Sequence, residues 1–176
     1  LNAIKYPPTA PLTCVLGTDT SIKTNLIKGI LWQFRYNYVY DDNENSVFST
    51  ISKVVLPTLN ESLYGEFPNN GNNKITLSFS AGHNTVKRIQ IAARAGNIGN
   101  WKLVDQIDRD EAWVDFSTHT VDFYNDKLIR MLNAKEAETP FHYVPYKALL
   151  QKFVQNNRLI YLNYEEGQDN VEIDVS

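Results

Sequence analysis

The chain has 176 residues, a net charge of −3, three histidines and one cysteine. That length suits one large domain or two small ones, and its 43% hydrophobic and 12% aromatic content can fill a core, which argues against wholesale disorder. The acidic balance argues against general nucleic-acid binding, Cys14 alone rules out an internal disulfide framework, and no apolar run approaches membrane-spanning length.

The N-terminal stretch Ile4-Lys5-Tyr6-Pro7-Pro8-Thr9-Ala10-Pro11 carries three prolines, which stiffen the backbone and withhold ladder donors. It reads as a linker into a first strand over Leu12–Leu16, where Cys14 is a small core residue. A polar connection over Thr18–Thr24 follows. The chain opens on Leu1 without an initiator Met or a leader-like segment, so a module of a longer polypeptide is expected.

The strongest periodic signal comes next. Ile30, Trp32, Phe34, Tyr36, Tyr38 and Tyr40 occupy alternate positions, with Leu31, Gln33, Arg35, Asn37, Val39 and Asp41 between them. Period two predicts a strand with one aromatic face in the core and the other mostly in water. Asp41-Asp42-Asn43-Glu44-Asn45 is a polar turn, and Ser46–Leu56 is expected to return as a second strand. Residues 58–73 read as loop, with Pro68-Asn69-Asn70-Gly71-Asn72-Asn73 a breaker cluster.

A second series of strands is predicted over Ile75–Ser80, Val86–Arg94 and Trp101–Ile107, with Val121–Tyr124 a shorter one. Turns at Ala81-Gly82-His83-Asn84 and Gly96-Asn97-Ile98-Gly99-Asn100 separate the first three. Leu128, Met131 and Leu132 have helical spacing, which suggests a short helix between about 125 and 137. Pro145 suits a first helical turn, and Tyr146, Leu149, Leu150, Phe153 and Val154 form an apolar stripe, so a second helix is expected there. Two strands, Arg158–Tyr164 and Asn170–Val175, close the chain. The predicted fold is mainly β, an antiparallel sandwich with a short helical insertion near the C-terminus. Its expected parts are a β module over 1–58, a second β module over 59–124, and a helix-containing segment over 125–176 whose final hairpin packs on the sandwich.

Residue chemistry points away from catalysis. His83, His119 and His142 are widely spaced and share no metal-ligand pattern. Asp41, Asn43 and Asn45 match the first positions of an EF-hand loop, but Ser46 and Ser52 stand where Gly and Glu are needed. Gly96-x-x-Gly99 lacks the third glycine and following helix of a dinucleotide site. Asp105, Asp108, Asp110 and Glu111 crowd one strand end; paired carboxylates can serve glycoside hydrolysis, yet a solvated acidic loop is the commoner use. No catalytic, cofactor-binding or metal-ligating residue is therefore assigned, and no cofactor is expected. Exposed aromatics can stack on sugars, but Trp32 lies on the core face, and burial is the better expectation for Trp101 and Trp113.

The run Leu31-Trp32-Gln33-Phe34-Arg35-Tyr36-Asn37-Tyr38-Val39-Tyr40 through Asp41-Asp42-Asn43-Glu44-Asn45 to Ser46-Val47-Phe48-Ser49 is similar to a hairpin of fibronectin type III-like modules. Asn43 and Phe48 stand where that family usually has Gly and Trp. Three segments together resemble a large structural virion protein, of tail, neck or muzzle type, from crAss-like phages of Bacteroidetes. They are Ile4-Lys5-Tyr6-Pro7-Pro8, Gln33-Phe34-Arg35-Tyr36, and the stretch from Phe123-Tyr124-Asn125-Asp126 through Val144-Pro145-Tyr146-Lys147-Ala148 to Asn157-Arg158-Leu159-Ile160-Tyr161-Leu162-Asn163-Tyr164-Glu165-Glu166-Gly167. Leu162 stands where that family favours Gly. The resemblance implies a component of a phage tail or neck, assembled in the host cytoplasm, whose partners are copies of itself or other virion proteins in a ring. Contacts are expected at Asn69–Asn73, Gly96–Asn100 and Asp105–Glu111, with Arg35 and Arg158 in ion pairs within the domain. The alternative is an extracellular adhesion module binding a glycan or host receptor.

Overall fold

The structure, a computed structural model, describes residues 5–55, 72–138, 147–154 and 158–165. The chain divides into two units, Lys5–Pro140 and Leu1–Ile4 with Phe141–Ser176. The first contains β1 (Thr13–Gly17), β2 (Trp32–Tyr40), β3 (Lys74–Ser80), β4 (Val86–Ala95), β5 (Lys102–Asp108), β6 (Thr118–Phe123), β7 (Arg130–Met131) and the short helix α1 (Ala134–Glu138). In the second, the described residues form an antiparallel hairpin of β8 (Lys147–Val154) and β9 (Arg158–Glu165).

Two antiparallel sheets, ordered β1-β3-β6 and β2-β4-β5-β7, pack as a sandwich. Alternation explains the packing. Ile75, Leu77 and Phe79 of β3 and Trp32, Phe34, Tyr36, Tyr38 and Tyr40 of β2 all turn into one buried cluster with Ile89, Ile91 and Ala93 of β4. The rings meet edge to face: Phe34 lies 5.0 Å from Phe123 at 79°, and Trp32 lies 5.0 Å from the same ring at 71°. The boundary expected near residue 58 does not separate two sandwiches. β1 pairs with β3 and β2 with β4, so each sheet draws strands from both sides of it.

The other face of β2, expected to meet water, is covered as well. Gln33, Asn37 and Val39 are buried, and a second cluster of Phe48, Ala92, Trp101, Leu103, Leu132 and Ala137 forms on that side. The covering comes partly from Ser46–Val55, which is not a strand. Only one isolated bridge, Val39 to Asn45, continues the hairpin. Beyond it, three serines spaced by three residues meet three β2 residues spaced by two. Ser46, Ser49 and Ser52 donate their backbone N–H groups to the carbonyls of Tyr38, Tyr36 and Phe34, each at 2.8 Å. Their hydroxyls accept the N–H groups of the same residues at 3.0, 3.2 and 2.9 Å. Each hydroxyl then donates to the carbonyl of its own following residue. Two strand residues advance about 6.7 Å, so the serine leg advances only about 2.2 Å per residue, shorter than strand or polyproline geometry. The outer edge of β2 is thereby satisfied without a partner strand.

Two helical expectations are revised. Within 125–137, residues Arg130–Met131 pair with β5 as an edge strand, and the helix is Ala134–Glu138. Asn133 starts it by accepting the Glu136 N–H at 2.7 Å. The stripe beginning at Tyr146 is strand β8, not a helix. A short apolar run such as Ala148-Leu149-Leu150 fits either period, and the β-rich segment Arg158–Glu165 decides it by pairing across Leu150 to Leu162. The predicted strand over 170–175 and most of the loop over 58–73 lie outside the described residues. Within that loop, Asn73 is buried and its carboxamide ties down the 19–22 segment, accepting from Asp19 N at 2.7 Å and donating to the Asp19 and Ile22 carbonyls at 2.8 Å.

Cys14, on β1, packs against the main cluster. Burial pushes its thiol up to about 11, with a hydrogen bond to Ser52 opposing the shift. The thiolate is the reactive form, so native labelling by iodoacetamide at pH 8 should run on the order of a hundredfold slower than in the unfolded chain. Because the folded value lies above the unfolded one, the linked stability is full below pH 9 and is lost as pH rises toward 11. Equal labelling rates with and without denaturant would show that the thiol is not held in the core.

Candidate functional site

Strands β4 and β5 run antiparallel with Arg88 opposite Asp108 and Ala93 opposite Lys102. The turn Gly96–Asn100 and the loop Arg109–Ser117 therefore emerge at opposite ends of the sheet. The Gly96–Asn100 turn is tight: a Cβ on Gly99 would stand 2.4 Å from the Ala95 carbonyl oxygen, so a side chain there would force the turn open.

Beside that turn lies a cleft of about 270 Å³, lined by Arg94, Trp101, Leu132, Ala137, Glu138 and the turn itself. Trp101 is 3% exposed because two arginines lie over its ring, Arg94 at 4.7 Å and Arg35 at 5.7 Å. Arg35 is held at two of its nitrogens. Its Nε donates to the Ser49 carbonyl at 2.8 Å, its Nη1 donates to the Ala137 carbonyl, and it also lies over Phe48. Burial and the neighbouring Arg94 charge lower its pKa, and Glu138 opposes them. Arg94 is positioned differently. Its Nε donates to Gln33 Oε1 at 2.8 Å, while its two terminal nitrogens have no partner among the described residues. A planar fork held by Nε and by an indole face is oriented for a bidentate acceptor.

At the other end, Arg109 works as an internal clamp. Its Nη1 donates to the carbonyls of Ala81, Gly82 and His83 at 2.7, 3.1 and 3.1 Å. Its Nη2 donates to the Trp113 carbonyl at 3.0 Å and to Asp115 Oδ1 at 2.9 Å. Phe116, held by its N–H on the Gly82 carbonyl at 2.8 Å, has φ 59°. A non-glycine residue in that region carries roughly 1–3 kcal/mol of strain, kept only where surroundings over-determine it. Yet the residue is 66% exposed, and Val114 beside it is 73% exposed. The clamp holds a strained loop whose apolar tip is largely exposed, with the Phe116 ring tilted against His83 at 6.4 Å.

The residues singled out in the sequence separate between these places. His83 and His119 both lie near the Arg109 end. His83 contacts Thr85 Oγ1 at 3.1 Å and Asp115 at 3.9 Å, while His119 stacks on Trp113 at 3.7 Å and meets Ser117 Oγ at 2.7 Å. His142 is outside the described residues. The acidic run disperses: Asp108 pairs with Arg88 at 2.5 Å and Asp105 with Lys127 at 3.6 Å. The Asp41–Asn45 cluster is a turn, with the Tyr40 N–H on the Glu44 carbonyl and Asn43 at φ 63° in the position that usually takes Gly. Trp101 is buried and Trp113 half-buried against the main cluster. Arg35 pairs with carbonyls and rings rather than with a carboxylate. Sequence reasoning missed Arg94 and Arg109; their signal was weak, since an arginine near a strand end ordinarily points to solvent. No protein-family model matches this sequence, nor does any curated protein or any solved structure.

Proposed function

We propose that this chain is a structural component of a phage virion, in the tail or neck, acting through protein–protein contacts. The observation that supports this reading most is the clamped loop at Arg109. It spends backbone strain on holding Val114 and Phe116 outward in one conformation. Rigid, preorganised apolar groups are what a contact surface needs, because little entropy is lost when they are covered. The glycan-binding alternative has less support, since the faces of Trp101 are taken by arginines and Trp113 is stacked on His119.

Two measurements test the reading. The chain should be located in the tail or neck of a phage particle by its density in the assembled structure; a glycan-array hit lost on Trp113 substitution would support the adhesin instead. Within the chain, Phe116→Gly should leave the melting temperature unchanged or higher, because glycine accepts φ 59° freely, while incorporation into particles falls. Arg109→Met should instead lower stability by about 1.5–3 kcal/mol, the range for hydrogen bonds from a charged donor, and loosen the tip. Normal incorporation of the glycine variant would overturn the role given to Phe116.

A further inference from the structure

We infer that copies of this chain associate head to tail, with the Asp110–Glu111 turn of one copy seated in the Arg94 cleft of the next. The inference rests on the assembly reading above and names the partner and the surfaces.

Among the described residues, both halves of the contact lack an ion-pair partner. Asp110 and Glu111 are exposed, and no ion pair among the described residues involves either. Asp110 uses one carboxylate oxygen to accept the Ala112 N–H at 2.9 Å, which fixes the turn, and the residue is exposed. At the cleft, the terminal nitrogens of Arg94 have no partner among the described residues, and no ion pair there joins it to Glu138, which also lines the cleft. Two of the neighbouring acids at this end are already matched: Asp108 to Arg88, and Asp115 to Arg109.

Apolar groups accompany the charges on both sides. The acidic turn lies in the same loop as exposed Val114 and Phe116, and the cleft adjoins Ile98, which is 98% exposed, and Leu132. Size favours a side chain over a larger ligand. The cleft's volume of about 270 Å³ is below the roughly 300–1,000 Å³ of small-molecule sites, and its indole face is already covered, so a sugar ring has no stacking platform. One carboxylate on a bidentate guanidinium fits.

Geometry then sets the assembly type. Arg94 and the residue-108 end of the sheet are separated by six residues of β4, roughly 20 Å. A patch that meets a different patch on the opposite end gives a heterologous contact, which propagates as a ring or a filament rather than closing as a two-fold dimer.

A charge-swap experiment with the full chain tests this. By sedimentation up to millimolar concentration, the parent chain should self-associate, and the association constant should drop about tenfold or more between low and high salt. Arg94→Glu alone, and Asp110→Lys with Glu111→Lys together, should each abolish self-association. An equimolar mixture of the two variants should restore it, because both cleft–turn combinations are again opposite in charge. Circular dichroism checks the fold of Arg94→Glu, and the double variant lies on an exposed turn. A parent chain that stays monomeric, or a mixture that fails to re-associate, overturns the inference. Association unaffected by both variants would overturn these surfaces while leaving the assembly reading in place.

Discussion

Phe34→Ala should destabilise the Lys5–Pro140 unit by about 3–5 kcal/mol, the range for emptying a phenyl ring from a packed core. Phe34 is 0% exposed and sits between Trp32, at 6.4 Å, and Phe123, at 5.0 Å edge to face. Its removal takes away the transfer free energy of the ring and the edge-to-face pair, and leaves a cavity between two sheets. Neither sheet can collapse into that gap without disturbing the registers of β2 on β4 and of β3 on β6. A domain of this size has about 5–15 kcal/mol in total, so the variant should unfold at a much lower urea concentration or fail to accumulate. Exposed Phe116 gives the contrast: Phe116→Ala should shift stability by no more than about 0.5 kcal/mol from lost packing. Equal urea midpoints for Phe34→Ala and the parent chain would mean the β2 rings are not the core.

The period-two pattern of β2 and β3 was legible because a strand buried on one face repeats its apolar choice every second residue. Strands β4 and β5 were legible too, since Gly82 and the Gly96–Asn100 turn punctuate them, and β1 follows the proline run that ends at Pro11. Burial of the second face of β2 was not. Gln33, Arg35 and Asn37 read as a solvent face, and only the tertiary fold reveals that each has a partner there. Gln33 orients Arg94, Arg35 holds the Ser49 and Ala137 carbonyls, and Asn37 donates to the Ser46 carbonyl at 3.1 Å. Polar residues at alternate positions do not distinguish water from a satisfied interior.

The proposed contact surfaces were half legible. The turn at Gly96–Asn100 and the acidic run stood out by composition, and both lie at the ends of one sheet. Val114 and Phe116 did not stand out, because a lone exposed ring is common and its backbone angle is invisible in sequence. Nor did Arg109, whose five acceptors come from two separate stretches of chain, 81–83 and 113–115. Convergence of that kind depends on the fold, whereas a turn is written locally.

Replacing Ser46, Ser49 and Ser52 together by alanine should destabilise the same unit on the order of 3–9 kcal/mol, taking about 1–3 kcal/mol for each buried donor left without its acceptor. The three hydroxyls are the acceptors for the N–H groups of Phe34, Tyr36 and Tyr38, and all three serines are at most 4% exposed. Alanine keeps the backbone bonds from the serine leg to β2 but removes every acceptor, and the compressed spacing places no carbonyl of that leg in their stead. β2 is the terminal strand of its sheet, so the loss also opens a strand edge of nine residues to pairing with another chain. Hydrogen exchange gives the residue-level readout: the amides of Phe34, Tyr36 and Tyr38 should lose protection, while that of Ile89 in the central strand retains more. Thr50→Ala, in the same segment but exposed, should change little. A triple variant whose stability lies within about 1 kcal/mol of the parent, with those three amides still protected, would sink the account, because buried donors do not go unpaired without cost.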